Sequence, residues 1–254
     1  MKKDFKISSV FLLYLIYNIF VYVLTVIPIY NMRGVIGMEE SVVDQAAAIL
    51  NSKALFTQLI LSLIYSLINF AIARGLLTNR MGSIGDYLSN IKELTLVGFI
   101  TLFLIRIIVY TGSTIIGGSL IGILIIVFSV ITSYASFVIA DDSKDLKFGD
   151  LVDKIIKTGK DLSGDTIAIY AKYFALPIIA LLGYIIFILF RVSSIDPNID
   201  AIAIKFMIAF AIYFLLASLA STLAQKELSE FYQAYWDKVG PSHSENQEKI
   251  GEKI

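Results

Sequence analysis

Six stretches of this chain are apolar enough to leave water and long enough to cross a bilayer. They are Ser8–Ile29, Ala54–Leu76, Leu94–Tyr110, Ile115–Ala140, Ile167–Phe190 and Ile202–Leu223. A hydrocarbon core of about 30 Å takes about 20 helical residues. Within it every backbone N–H and C=O must find a partner in its own segment, which leaves the helix as the spanning form for such runs. The fold class implied is all-α, a polytopic transmembrane bundle of six spans. The third run is the shortest and carries Arg106. The first follows "MKKDFK"; its apolar part exceeds the roughly 7–15 residues of a signal-peptide core and no small-residue cleavage site follows, so it reads as a retained span.

Composition agrees with this. Apolar residues make up 57% of the 254 and charged residues 17%, against about 45–50% and 25% in soluble domains. The mean hydropathy is +0.78. Net charge is zero, so no overall field points to nucleic acid. The chain has no cysteine, which excludes disulfides and thiolate chemistry. Its Ile- and Lys-rich vocabulary suggests an AT-rich bacterial genome.

Basic residues set an expected orientation, because cytoplasmic loops carry the excess of lysine and arginine. Lys2, Lys3 and Lys6 precede the first run; Arg74, Arg80 and Lys92 follow the second. Lys144, Lys147, Lys154, Lys157 and Lys160 follow the fourth, and Lys226, Lys238, Lys249 and Lys253 follow the sixth. The opposite side has only Arg33, Lys53 and Arg191, while Arg106, Lys172 and Lys205 fall within runs. Both termini are therefore expected in the cytoplasm of a bacterial inner-membrane protein. Residues 1–239 form the membrane domain and 240–254 a disordered polar tail.

One cytoplasmic loop, "KFGDLVDKIIKTGKDL" (147–162), is amphipathic. Phe148, Leu151, Val152, Ile155, Ile156 and Leu162 recur at helical spacing, with Asp150, Asp153, Lys154, Lys157 and Lys160 on the other face. Two settings fit it: an interfacial elbow with its apolar face among acyl chains and its lysines near anionic headgroups, or a loop helix packed on the bundle. A shorter relative lies at 84–93. "IGDYLSNIKE" and "FGDLVDKIIK" share an apolar-Gly-Asp-apolar-apolar start and an isoleucine in register. The implied repeat is an elbow helix followed by an out-and-back pair of spans.

The C-terminal half, through "SYASFVIADDSKDLKFGDLVDKIIKTGKDL" and "STLAQKELSEFYQAYW", resembles a group of bacterial six-span membrane proteins. That group includes the membrane domain fused to some glycerophosphodiester phosphodiesterases. The features that match are Ala140–Asp141, Phe148–Asp150 and Phe231–Tyr232. The resemblance implies the span-and-elbow architecture and carries over no catalytic residue.

Polar groups inside the runs are the functional candidates, since ionisable residues at membrane depth usually face the bundle or a cavity. Arg106 either snorkels to the outer interface or faces such a cavity. Ser129, Thr132, Ser133 and Ser136 trace a polar line down the fourth run. No Asp or Glu inside the runs is available to pair with Arg106 or Lys172, which argues against a carboxylate proton relay. Gly118-x-x-x-Gly122 permits close helix approach, and Pro177 removes a helical hydrogen bond and is expected to kink the fifth run. Outside the runs, Glu39, Glu40 and Asp44 suggest that the second helix starts near Glu40. Asp196–Pro197 reads as a turn, and 191–200 has too few ligands for calcium. Phe231, Tyr232, Tyr235 and Trp236 suggest an interfacial helix after the sixth run.

No HExxH, GxSxG or Walker A pattern occurs, and the one histidine, His243, lies in the polar tail. Asp141–Asp142 reads as a corner where the chain leaves the membrane. The expectation is a non-enzymatic membrane protein, lipid-interacting, accessory or permease-like, without a cofactor or metal. Membrane lipids are its expected partners, with a second copy of the chain or a membrane complex as the other class. The alternative is a transporter or channel subunit that touches a cytoplasmic protein through its loop helices.

Overall fold

The computed structural model describes residues 6–27, 40–78, 82–115, 120–142, 147–192 and 199–239. These are helical almost throughout, and no strand occurs among them. Helix α1 (Ile7–Val21) runs into a π-helical turn, Tyr22–Val26. Helix α2 spans Glu40–Leu77, beginning where the acidic cluster predicts. Helix α3 (Ile84–Ser89) passes into a 3-10 turn, Asn90–Glu93. Then follow α4 (Leu96–Ile115), α5 (Leu120–Ile131), α6 (Ala135–Asp142), α7 (Phe148–Asp161), α8 (Ser163–Val192) and α9 (Ile199–Val239).

Among the described residues, five stretches are long and apolar enough to cross a membrane: Ile7–Val26, Leu55–Leu77, Gly122–Asp141, Ser163–Ile188 and Ala203–Val239. A sixth arises if Ile84–Glu93 and Leu96–Tyr110, bent by 111°, count as one. Length and composition thus make this a multi-pass helical membrane protein. Its surface suits that role. Leu176, Ile179 and Phe187 on α8 and Ile123, Leu124 and Ile126 on α5 are exposed, an apolar area that a water-soluble monomer would not carry.

The fourth run is not the single rod expected over 115–140. It breaks at Thr132–Tyr134 into α5 and α6. The hydroxyls of Thr132 and Ser133 donate to the Phe128 and Ser129 carbonyls, 2.7 and 2.8 Å away. Beside them the ladder tightens to three-residue steps, Ser133 N–H to Val130 O and Ala135 N–H to Thr132 O. Such back-bonding and local 3-10 geometry bend or interrupt a helix. Past the break α6 is enclosed over most of its length, with every residue from 135 to 140 buried and Asp141 exposed. It packs on α2, α4 and α7.

The sixth run likewise ends later than Leu223. Helix α9 continues to Val239, because no glycine or proline interrupts it before Gly240–Pro241. The aromatic segment with Tyr232 and Trp236 is therefore one rod with the span. Pro177 is buried within α8, which continues to Val192. Helix α8 packs chiefly on α9, and α9 also on α1 and α2. Gly118, the Asp196–Pro197 turn and the 240–254 tail lie outside the described residues.

Candidate functional site

The line Ser129, Thr132, Ser133 and Ser136 crosses the break between α5 and α6, and all four residues line one cavity with Arg106 of α4. Tyr65, Ser66 and Asn69 of α2, Tyr170 of α8 and Gln225 of α9 complete its polar wall; Leu102, Ile105, Val109 and Ala135 supply the apolar part. The cavity is about 80 Å³, room for several waters at about 10–15 Å³ apiece.

Arg106 turns into the bundle. Its guanidinium carbon sits 3.7 Å from the Tyr65 ring centroid and 5.7 Å from that of Tyr110. Tyr17 of α1 is within hydrogen-bonding reach of it. The Nε–H is buried and has no hydrogen-bond partner. No ion pair to Arg106 occurs among the described residues. A guanidinium stays charged in any protein environment, so this is a cation held by rings and hydroxyls instead of by a carboxylate. A stacked Arg–Tyr contact contributes about 0.5–2 kcal/mol.

The walls are tied by hydrogen bonds between helices. Tyr170 donates to Ser133 Oγ at 3.1 Å. Tyr14 of α1 donates to Asn69 Oδ1 at 2.6 Å. Asn18 of α1 donates to Ser218 Oγ of α9 at 2.8 Å, and Ser218 donates to the Phe214 carbonyl at 2.7 Å. Ser66 spends its donor on the Ser62 carbonyl, as Thr132 and Ser133 do on theirs. Gln225 Oε1 is buried without a partner, like Arg106 Nε.

Tyr65, Ser66, Asn69, Tyr170 and Gln225 were not singled out from sequence. A signal for them exists. In the second run Gln58, Ser62, Ser66 and Asn69 step by three and four residues, and in the sixth Ser218, Thr222, Gln225 and Ser229 do the same. Each set is a helical stripe, and apart from Gln58 every member is buried.

The opposite feature of the site is a polar cap at one end of the bundle, where distant parts of the chain meet. Ser9 at the start of α1 donates to the Gly82 carbonyl at 2.6 Å. Arg74, near the end of α2, bonds Glu93 and the Ala140 carbonyl. Tyr232 donates to Asp141 Oδ2 at 3.1 Å. Helix α7 lies in this cap. It buries Leu151, Ile155, Thr158 and Gly159 against the protein and leaves Asp150, Asp153, Lys157 and Lys160 exposed. Val152 and Ile156 are half-buried. Phe148, on the apolar face, is 48% exposed, because it starts the helix one turn before the first contact with protein. Lys154 lies 4.1 Å from the Trp236 ring centroid. Burial holds its ammonium below the ordinary lysine range, and Asp141 pulls the other way.

Lys172 has a carboxylate partner that comes from beyond the sixth run. Its Nζ lies 2.9 Å from Glu227 Oε2, which also accepts the Tyr173 hydroxyl at 2.6 Å. The straight continuation of α9 past Leu223 brings Glu227 alongside. Lys172 is more than half exposed, so solvent screens this pair. Gly122, the second member of the small-residue pair, is buried at the start of α5. Among the described residues no cluster of three or more histidine, aspartate or glutamate side chains is placed to hold a metal ion.

Comparison with known proteins gives no relative: no protein-family model, curated protein or solved structure matches the chain.

Proposed function

We propose that this chain is a six-span bacterial inner-membrane protein with both termini in the cytoplasm, that it is not an enzyme, and that it is permease-like, admitting a polar ligand to its bundle. The observation that carries this reading is the convergence of Arg106, Ser129, Thr132, Ser133 and Ser136 on one cavity between helices. Polar lining at membrane depth is costly unless it serves a ligand, water or a partner helix. The likeness to the membrane domain of glycerophosphodiester phosphodiesterases belongs to the same reading.

The orientation is supported by the cap. Ser9 meets Gly82, Arg74 meets Glu93 and Ala140, and Tyr232 meets Asp141 at one end of the bundle, as an even number of crossings between these residues requires. That end holds most of the lysine-rich loops. The repeat is supported by register: α3 and α7 begin at Ile84 and Phe148, the same place in the shared motif, and Tyr87 and Leu151, which correspond, are both fully buried. In this reading they are elbows that hug the inner leaflet and the bundle together.

Because the chain has no native cysteine, single introduced thiols test both statements. Asp153→Cys is expected to react with a membrane-impermeant maleimide only in inside-out vesicles. Ser133→Cys is expected to react with a small water-soluble methanethiosulfonate. Labelling of position 153 from intact cells would refute the orientation, and a position 133 reached only by lipid-soluble reagents would refute the permease-like reading.

A second reading, a subunit that contacts a cytoplasmic protein, is favoured by α7 alone. Its buried face fixes it to the bundle while its charged face stays exposed. Purification in mild detergent separates the readings: a stoichiometric soluble partner, lost on reversing the charges of Asp153 and Lys157, supports the subunit.

A further inference from the structure

The cavity contains a fixed positive charge with no fixed negative one beside it. We propose that its ligand is an oxyanion, a phosphate or carboxylate group, and that Arg106 is the residue that binds it. This deepens the permease-like reading and rests on the cavity being open to water.

Three observations lead there. First, Arg106 has no ion pair among the described residues, and its Nε–H is buried without a partner. An isolated cation at membrane depth is unfavourable, and an arriving anion relieves that cost. Second, the Tyr65 ring covers the face of the guanidinium, with 3.7 Å between Cζ and the ring centroid. What remains is the part of its planar N–H edge that the Tyr17 hydroxyl does not take, and such an edge matches an oxyanion in a paired, forked arrangement. Third, the remaining wall offers neutral groups. Asn69 takes the Tyr14 hydroxyl on its oxygen, so its amide nitrogen is left to donate. Ser136 lines the cavity at 5% exposure and adds a hydroxyl. Neutral donors around one guanidinium select a single negative group over a cation or an apolar molecule.

The oxyanion has two sources, a soluble ion or the head group of an anionic lipid, and two arms of one experiment distinguish them. The full-length protein is placed in phosphatidylcholine nanodiscs, and its thermal unfolding is followed during titration with inorganic phosphate. In parallel it is placed in nanodiscs containing phosphatidylglycerol with no phosphate added. A saturable rise of the unfolding midpoint in the first arm identifies a soluble anion; a rise in the second arm alone identifies a head group. Either response is expected to vanish in Arg106→Gln. Should that variant not fold, Ser133→Val and Ser136→Val leave Arg106 in place and fill the cavity with methyl groups. They are expected to weaken the response about tenfold or more, as unmatched polar contacts do. No response in either arm, or one unchanged in these variants, overturns the proposal. If Ser133→Cys is labelled from water in a protein that gives no anion response, the permease-like reading stands and the oxyanion alone falls.

Discussion

Gly159→Ala is expected to lower stability by about 3 kcal/mol and the unfolding midpoint by several degrees. Gly159 lies in the last turn of α7, buried against the C-terminal end of α5, where the break at Thr132 exposes the Ile131 backbone. A methyl group at Gly159 would overlap that backbone, coming within 2.5 Å of the Ile131 carbonyl carbon. Backbone cannot rotate away as a side-chain tip can, so α7 must move off α5 or α5 must deform. Overpacking of this kind costs about 1–3 kcal/mol and occasionally more; here the upper end applies, since the obstruction is main chain. Total stability is commonly about 5–15 kcal/mol, so the loss is a large share of it. The same helix supplies a control. At Gly149 nothing lies within 4 Å of an added Cβ, and Gly149→Ala is expected to change stability by about 0.5 kcal/mol or less. Size-exclusion profiles and thermal unfolding in one detergent compare the two. Equal midpoints would mean that α7 does not seat on α5.

Gly159 also marks the limit of what sequence can say. The amphipathic period of 147–162 places a helix there, with Leu151 and Ile155 on its apolar side, and α7 follows that pattern. Periodicity does not say what covers the apolar side. Lipid and protein are equally apolar partners, and only the burial of Leu151, Ile155 and Gly159 in the folded chain shows that protein covers much of it. The five long spans were legible because twenty apolar residues leave the chain one choice of backbone. The break inside the fourth run was not, since Thr132 and Ser133 are tolerated in straight membrane helices as well as in broken ones. The line from Ser129 to Ser136 was visible in the sequence, as was Arg106. The other wall of the cavity was missed because Asn69 and Gln225 each look like an isolated polar residue near the end of a run. Their stripes emerge only when i, i+3 and i+4 neighbours are read together. Glu227 was missed for a related reason: hydropathy falls off after Leu223, but the helix does not.

Arg74→Ala is expected to lower stability by about 2–3 kcal/mol and to loosen the cavity 32 positions further along the chain at Arg106. Arg74 sits near the end of α2 and joins three stretches. Its Nε and Nη2 lie 2.8 and 2.7 Å from Glu93 Oε2, and its Nη1 donates to the Ala140 carbonyl at 2.6 Å. The carbonyl is near the C-terminal end of α6, where helix carbonyls lack intrahelical donors and a cation is favoured. Hydrogen bonds to charged groups contribute about 1.5–3 kcal/mol each. Both side chains are about a fifth exposed, 22% and 24%, so screening reduces the sum to the range given. Arg74→Lys is expected to recover less than half, because an ammonium cannot span two acceptors in fixed directions. The wider consequence follows from Glu93. It ends the 3-10 turn, the chain is extended at Leu94, and α4 leaves at 111° to the segment before it. Arg74 therefore holds the corner that aims α4, and with it Arg106, into the bundle. A double-mutant cycle between Arg74→Ala and Glu93→Gln is expected to give a coupling of about 1–2 kcal/mol. In the Arg74→Ala protein, Ser133→Cys should react faster with the water-soluble reagent than it does beside an intact Arg74. A coupling near zero together with unchanged labelling would show that the corner is held instead by the Asn90 amide, which donates to the Ala71 carbonyl at 3.1 Å, and by the Tyr87 ring packed on Gly75.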